Sequence, residues 1–129
     1  MTSTSIYRQP VVELFTPGTA VTARAAVALP KGQFVAVTEG SAPDHVTVTS
    51  PQSGDRVFGI ANMDTVAGGM VTIERGPSRC FRLPTTATIA AGAEIETTAD
   101  GTPTTATTGY VVAVALHNST DEYVDLTLV

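Results

Sequence analysis

Two histidines, one cysteine and one lysine are the residues of this chain with the best claim to chemistry, and none stands in a spacing that a reaction requires. His45 follows Asp44 where a loop leads into a strand; neighbours along a strand point to opposite faces, so Asp44 would not orient the imidazole. His117 precedes the turn sequence Asn118-Ser119-Thr120, with Asp121 nearby, and no Gly-x-Ser-x-Gly elbow offers it a nucleophile. Zinc needs clustered His and Cys ligands, whereas His45, Cys80 and His117 are scattered over more than half of the chain. Asp121-Glu122-x-x-Asp125 lacks the oxygen-rich loop spacing of a calcium site and is expected to face solvent. Lys31 precedes Gly32 instead of following a glycine, so no phosphate-cradling loop forms around it, and Pro30-Lys31-Gly32 lacks the flanks of a biotin or lipoate carrier tip. Cys80 sits in a strand-like run, Arg79-Cys80-Phe81-Arg82-Leu83, and is expected to be a buried small apolar residue. The reading is of a protein that is no enzyme, with no catalytic residue, no cofactor and no metal ligand, and that works through its surface.

The elements that carry this surface are strands. A phrase of apolar stretch, glycine-bearing turn and alternating strand is written three times, at 26–38, 64–74 and 88–98, with Gly32, Gly69 and Gly92 taken as the turn glycines. Threonine, valine and alanine dominate, tryptophan is absent, and a helical apolar period is hard to find. Strands are expected near 19–28, 33–38, 45–49, 56–60, 70–74, 79–83, 93–97, 110–116 and 122–128. Residues 61–67 could form one helical turn; the alanine-rich 19–29 is the other helical candidate, read as strand because Val21, Ala23, Ala25 and Val27 alternate to one face, and 97–108 reads as a hairpin with Asp100-Gly101 at its tip and a flexible return. Such regular short strands predict an all-β domain, a small barrel or sandwich. Its core should hold Val21, Val27, Leu29, Phe34, Val35, Val37, Val57, Phe58, Ile60, Val71, Ile73, Phe81, Leu83, Ile89, Ile95, Val112, Val114, Leu116, Leu126 and Leu128.

At 129 residues the chain fits one domain able to bury its own core. A net charge of −5 with Lys31 as its single lysine repels nucleic acid, so no nucleic-acid partner is expected. The first residues, MTSTSIYRQP, hold no apolar segment of signal-peptide length, and no stretch approaches the ~20 apolar residues of a membrane helix, so a soluble protein with no membrane partner is expected. Residues 1–17 differ from the rest: Ile6-Tyr7-Arg8-Gln9-Pro10-Val11-Val12-Glu13-Leu14-Phe15-Thr16-Pro17 joins apolar side chains to prolines that resist interior ladder pairing. An extended arm docking on a partner explains both features; the alternative is a first edge strand lying on the domain's own barrel. Residues 1–17 are therefore assigned as an arm and 18–129 as the β-domain. Arg75, Arg79 and Arg82 crowd around Gly76-Pro77-Ser78, either as solvated strand residues or as a polar anchor for an acidic protein surface.

The order of Gly18-x-Ala-Val-Thr-Ala-x-Ala, Lys31-Gly32-Gln33-Phe34-Val35-Ala36-Val37, Arg56-Val57-Phe58-Gly59-Ile60-Ala61, Ala67-Gly68-Gly69-x-Val71-x-Ile73, Ala91-Gly92-Ala93-x-Ile95 and Ala99-Asp100-Gly101, closed by a valine-rich strand pair, resembles the capsid decoration (cement) proteins of tailed bacteriophages over about residues 15–129. The resemblance implies a β-barrel or β-tulip-like domain, assembled as a homotrimer, that sits on the outer surface of the virion capsid and clamps neighbouring major capsid proteins. It also implies synthesis in the host cytoplasm. Ile6, Tyr7, Val11, Val12, Leu14 and Phe15 would then be capsid contacts of the arm, and Arg75, Arg79 and Arg82 its polar interface. A β-domain of a tail or fibre protein that binds a receptor or glycan is the competing reading, which the Thr-, Ser- and Gly-rich loops, poor in aromatics, favour less.

Overall fold

The computed structural model describes residues 20–39, 41 and 45–129; the arm contacts expected at Ile6, Tyr7, Val11, Val12, Leu14 and Phe15 lie outside the described residues. Ten strands and no helix are found among the described residues, arranged in two apposed layers. β1 (Ala20–Ala25), β2 (Phe34–Val37), β3 (Val46–Thr49), β4 (Gly59–Ala61) and β5 (Met70–Glu74) close into a barrel in the order β1-β3-β2-β4-β5. The β1–β3 pair is parallel and every other pair antiparallel, because β2 carries the chain back across β3's far edge. β6 (Cys80–Pro84), β7 (Glu94–Thr97), β8 (Pro103–Thr105), β9 (Ala113–Ala115) and β10 (Tyr123–Leu128) form an antiparallel sheet in the order β6-β10-β9-β7-β8.

Period-two alternation explains how one barrel faces two cores. Along β1, Val21, Ala23 and Ala25 are buried while Ala20, Thr22 and Arg24 are exposed. The bore is narrow, and Ala23, Ala25 and Ala61 leave room in it for Leu29, Val35, Val48, Val71 and Ile73. The neighbours of Val35 and Ala61 point outward instead: Phe34 and Ile60 leave the barrel and join Leu83, Ile89, Ile95, Val124, Leu126 and Leu128 under the second sheet. The same layer contact is tied by backbone, since the Phe34 amide donates to the carbonyl of Gly101 at the β7–β8 tip (2.8 Å).

The thrice-written phrase is a repeated structure, with one correction. Gly32, Gly68 and Gly92 occupy the same turn position at φ of 79°, 84° and 79°, each two residues before its strand, so the positive φ of the second copy belongs to Gly68 and not to Gly69. Residues 61–67 form no helical turn: Thr65 bridges to Leu29 in an isolated antiparallel pair that caps one end of the barrel. The return of the 97–108 hairpin is ordered as β8, with Thr97 opposite Pro103. Val27, Val37 and Leu116, expected in the core, are exposed, because each stands at or just past a strand end where no second layer covers its face. Cys80 is likewise exposed: on the edge strand β6, alternation sends Phe81 and Leu83 inward and Cys80, Arg82 and Pro84 outward.

Candidate functional site

The three arginines around Gly76-Pro77-Ser78 are each held by an acceptor and an aromatic face. Arg75 Nε donates to the Phe58 carbonyl (2.6 Å) with its guanidinium 4.1 Å from the Phe58 ring centre, pinning the end of β5 to the approach to β4. Arg79 Nη1 bridges to Glu74 Oε1 (2.7 Å) and lies over Phe81. Arg82 forks onto Asp125, Nε to Oδ1 at 2.7 Å and Nη2 to Oδ2 at 3.0 Å, and stacks 4.0 Å from the Tyr123 ring centre. Arg79 and Arg82 meet along one cleft of about 510 Å³ between the barrel and the β6 edge, floored by Ile60, Phe81 and Leu83 and rimmed by Lys31 and Glu74. Arg75 faces a separate groove of about 310 Å³, beside Phe58, Val112 and Leu128. The sequence cluster is thus divided between two openings, and its charges are already engaged within the chain.

His117 and Asp125 form a pair that sequence spacing did not single out, since Asp121 is nearer along the chain. Asp125 faces outward on β10 beside the strand carrying His117's neighbours, and His117 Nε2 lies 2.7 Å from Asp125 Oδ2 while Nδ1 lies 2.8 Å from the Asn118 carbonyl. Both ring nitrogens face acceptors, so the imidazolium is the form that satisfies both. The Asn118 carbonyl and then Asp125 hold the His117 pKa above its ordinary value; Arg82 first and then His117 hold Asp125 well below the carboxylate range. The outcome corrects the solvent-facing reading of the acidic group: Asp121 and Glu122 are exposed, but Asp125 is an electrostatic tie between β6, β10 and the 117–120 turn.

A second carboxylate had no sequence signal. Glu96 alternates with the buried Ile95 and should face water, yet it is only 5 % exposed because residues 107–109 fold over it. Its Oε1 accepts the amides of Thr107 (2.5 Å) and Gly109 (3.3 Å) and the Thr107 hydroxyl (3.2 Å), and these bonds, led by the Thr107 amide, hold its pKa down. A Thr- and Gly-rich loop offers amides without side chains in the way, which is the signal that was legible only in hindsight.

These charges set an expected pH profile. The His117 contribution is fully present below its unfolded pKa of about 6.5 and is lost as pH rises through the raised folded value. Glu96 and Asp125 contribute above about pH 4 and lose their part as pH falls. Thermal melts should therefore plateau between about pH 4.5 and 6.5 and fall on either side. His117→Gln should flatten the alkaline limb and spare the acid one; an unchanged alkaline limb would exclude the pairing as its cause.

The remaining surface carries one apolar end. Val27, Met63, Val66 and Met70 are all exposed around the Leu29–Thr65 bridge, Val66 by 75 %. Among the described residues no three His, Cys, Asp or Glu side chains converge as metal ligands.

A closed five-stranded barrel backed by an antiparallel sheet defines a small all-β domain. The same fold occurs in the crystal structure of the head fiber gp8.5 N base in bacteriophage phi29, at a TM-score of 0.70 and 19 % sequence identity, covering 85 % of this chain and 92 % of that one. No curated protein sequence matches the chain. The sequence profile of the phage cement proteins matches residues 9–126, and the chain belongs to that family. It is a capsid decoration protein of the phage virion.

Proposed function

We propose that the protein binds the major capsid protein on the outer face of the phage head as a homotrimer and stabilises contacts between neighbouring shell subunits, as a structural part and not an enzyme, after synthesis in the host cytoplasm. The observation that carries this reading is the family match across 9–126, which includes the segment before the first barrel strand. Ile6, Tyr7, Val11, Val12, Leu14 and Phe15 supply apolar contacts of the arm, and Arg75, Arg79 and Arg82 the polar interface. Of the arginines, Arg82 is best placed for a partner's carboxylate, with 62 % of its side chain exposed beside the cleft.

Three arms acting together multiply small losses. If removing residues 1–17 weakens each attachment about tenfold, a trimer loses about a thousandfold in avidity. Co-sedimentation of the truncated protein with expanded heads should show that loss, and undiminished binding would remove the arm from the interface. Charge reversal at Arg79 and Arg82 should lower occupancy and its salt sensitivity together.

A further inference from the structure

The two loops at the apolar end of the barrel hold each other in place through backbone. The Leu29 and Thr65 amides each donate to the other's carbonyl (2.9 Å), Gly68 N bonds the Ala25 carbonyl (2.7 Å), and the Asp64 carboxylate takes the Lys31 amide (2.8 Å). With these groups engaged, the end offers a partner side chains instead of a strand edge. Leu29 turns into the barrel core, while Val27, Met63, Val66 and Met70 stay exposed, with a groove of about 330 Å³ running beside Pro30 and Val66. Turn chemistry does not ask for this composition. Residues 66–69 make a turn closed by Gly69 N on the Val66 carbonyl (3.0 Å), a place where the first position ordinarily takes Asp, Asn or Ser, yet here it holds a valine that is 75 % exposed.

Charge and area narrow the choice of occupant. Across residues 24–31 and 61–71, Arg24 and Lys31 stand against the single carboxylate of Asp64, in a chain whose net charge is −5. Arg24 is exposed opposite Met70, and Lys31 follows Pro30 of the groove and rims the cleft that holds Arg79 and Arg82, so the apolar end and that cleft adjoin. The exposed apolar area is on the order of a few hundred Å², against about 800 Å² per partner in a stable complex. A two-fold pairing of this end would also set Arg24 and Lys31 against their own copies. Both facts disfavour a second copy of the chain and fit a partner that repeats its site, where weak contacts gain by avidity. We infer that this end is the face the protein lays on the shell: Val27, Met63, Val66 and Met70 seat on an apolar patch of the major capsid protein, with Arg24 and Lys31 over carboxylates at its margin. The inference rests on the capsid-binding reading above and adds the surface that does the binding. Met63 and Met70 suit it, because an unbranched thioether side chain repacks to the shape it meets.

Val66→Asp tests the surface, since aspartate fits the first position of the 66–69 turn and keeps the fold. In co-sedimentation with expanded heads, the full-length variant should bind at least about tenfold more weakly than the parent, because docking would desolvate an unpaired carboxylate. Its thermal melt and its oligomeric state in free solution should match the parent. Val129→Asp is the control: Val129 lies just past β10 in the second layer, 63 % exposed, with its amide on the Val112 carbonyl (3.2 Å), and the same charge there should leave head binding unchanged. Parental binding by Val66→Asp, or equal loss in both variants, would overturn the surface while leaving the capsid-binding reading intact. A lowered melt would overturn it by placing the patch against the chain itself, and a changed oligomeric state would give it to a second copy. A parent that fails to sediment with heads would overturn the capsid-binding reading, and this surface with it.

Discussion

Phe34→Ala should cost about 3–5 kcal/mol, the range for truncating a buried aromatic side chain. Phe34 is 1 % exposed and, with Ile60, is the outward-facing apolar contribution of the barrel to the core beneath the second sheet. Alanine there leaves a cavity in the cluster that Phe34 shares with Leu83, Ile95 and Leu126, and close-packed side chains on separate strands relax into such a void only in part. The neighbouring Val35→Ala removes a smaller group from the barrel bore and should cost less. Denaturant unfolding of both variants checks the ranking. A Phe34→Ala loss below that of Val35→Ala would mean that the two layers are not joined through this contact.

Gly109→Ala should be the most damaging single-methyl addition, at about 3 kcal/mol, the upper end for overpacking. A Cβ at Gly109 would overlap the backbone of Gly54 and come within 2.8 Å of Glu96 Oε2. Gly54 cannot retreat easily, because its amide bonds the Thr97 carbonyl (2.8 Å) and its own carbonyl receives the Tyr110 amide (3.0 Å). Two glycine backbones in contact are what let the 107–109 amides reach the buried carboxylate. The substitution therefore also disturbs Glu96, and its stability loss should shrink as pH falls below about 4.5, because the stability that the charged, hydrogen-bonded carboxylate contributes is progressively lost there. Melting curves at pH 3.5 and 6 measure this difference. An equal loss at both would separate the packing from the charge.

The contrast between these two sites shows how far the chain could be read without coordinates. Phe34 was assigned to the core from alternation in Phe34-Val35-Ala36-Val37, which is correct, but the same alternation could not reveal that Phe34 and Val35 serve different cores. That depends on a second layer lying against the barrel, which is a long-range event. The Arg75, Arg79 and Arg82 cluster is visible as a charge run, yet all three stack on aromatic rings and Arg79 and Arg82 are ion-paired, Arg82 to a residue 43 positions away. Pairing distances in sequence of that size leave no local pattern. Glu96 was missed for the same reason: its strand register says exposed, and a loop arriving from residues 107–109 reverses that.

Sequence by itself determined the all-β class, the approximate place of most of the ten strands and the turn chemistry between them, since these rest on period-two alternation and on glycine's access to positive φ, both local properties. It also carried the likeness to capsid cement proteins, through the order of its turn-and-strand phrases. Tertiary structure decided the closure of the barrel, the second core and the exposure of Val27, Val37, Leu116 and Cys80. Those outcomes depend on which strands meet across the chain, and that choice is made by packing and hydrogen-bond closure between segments distant in sequence.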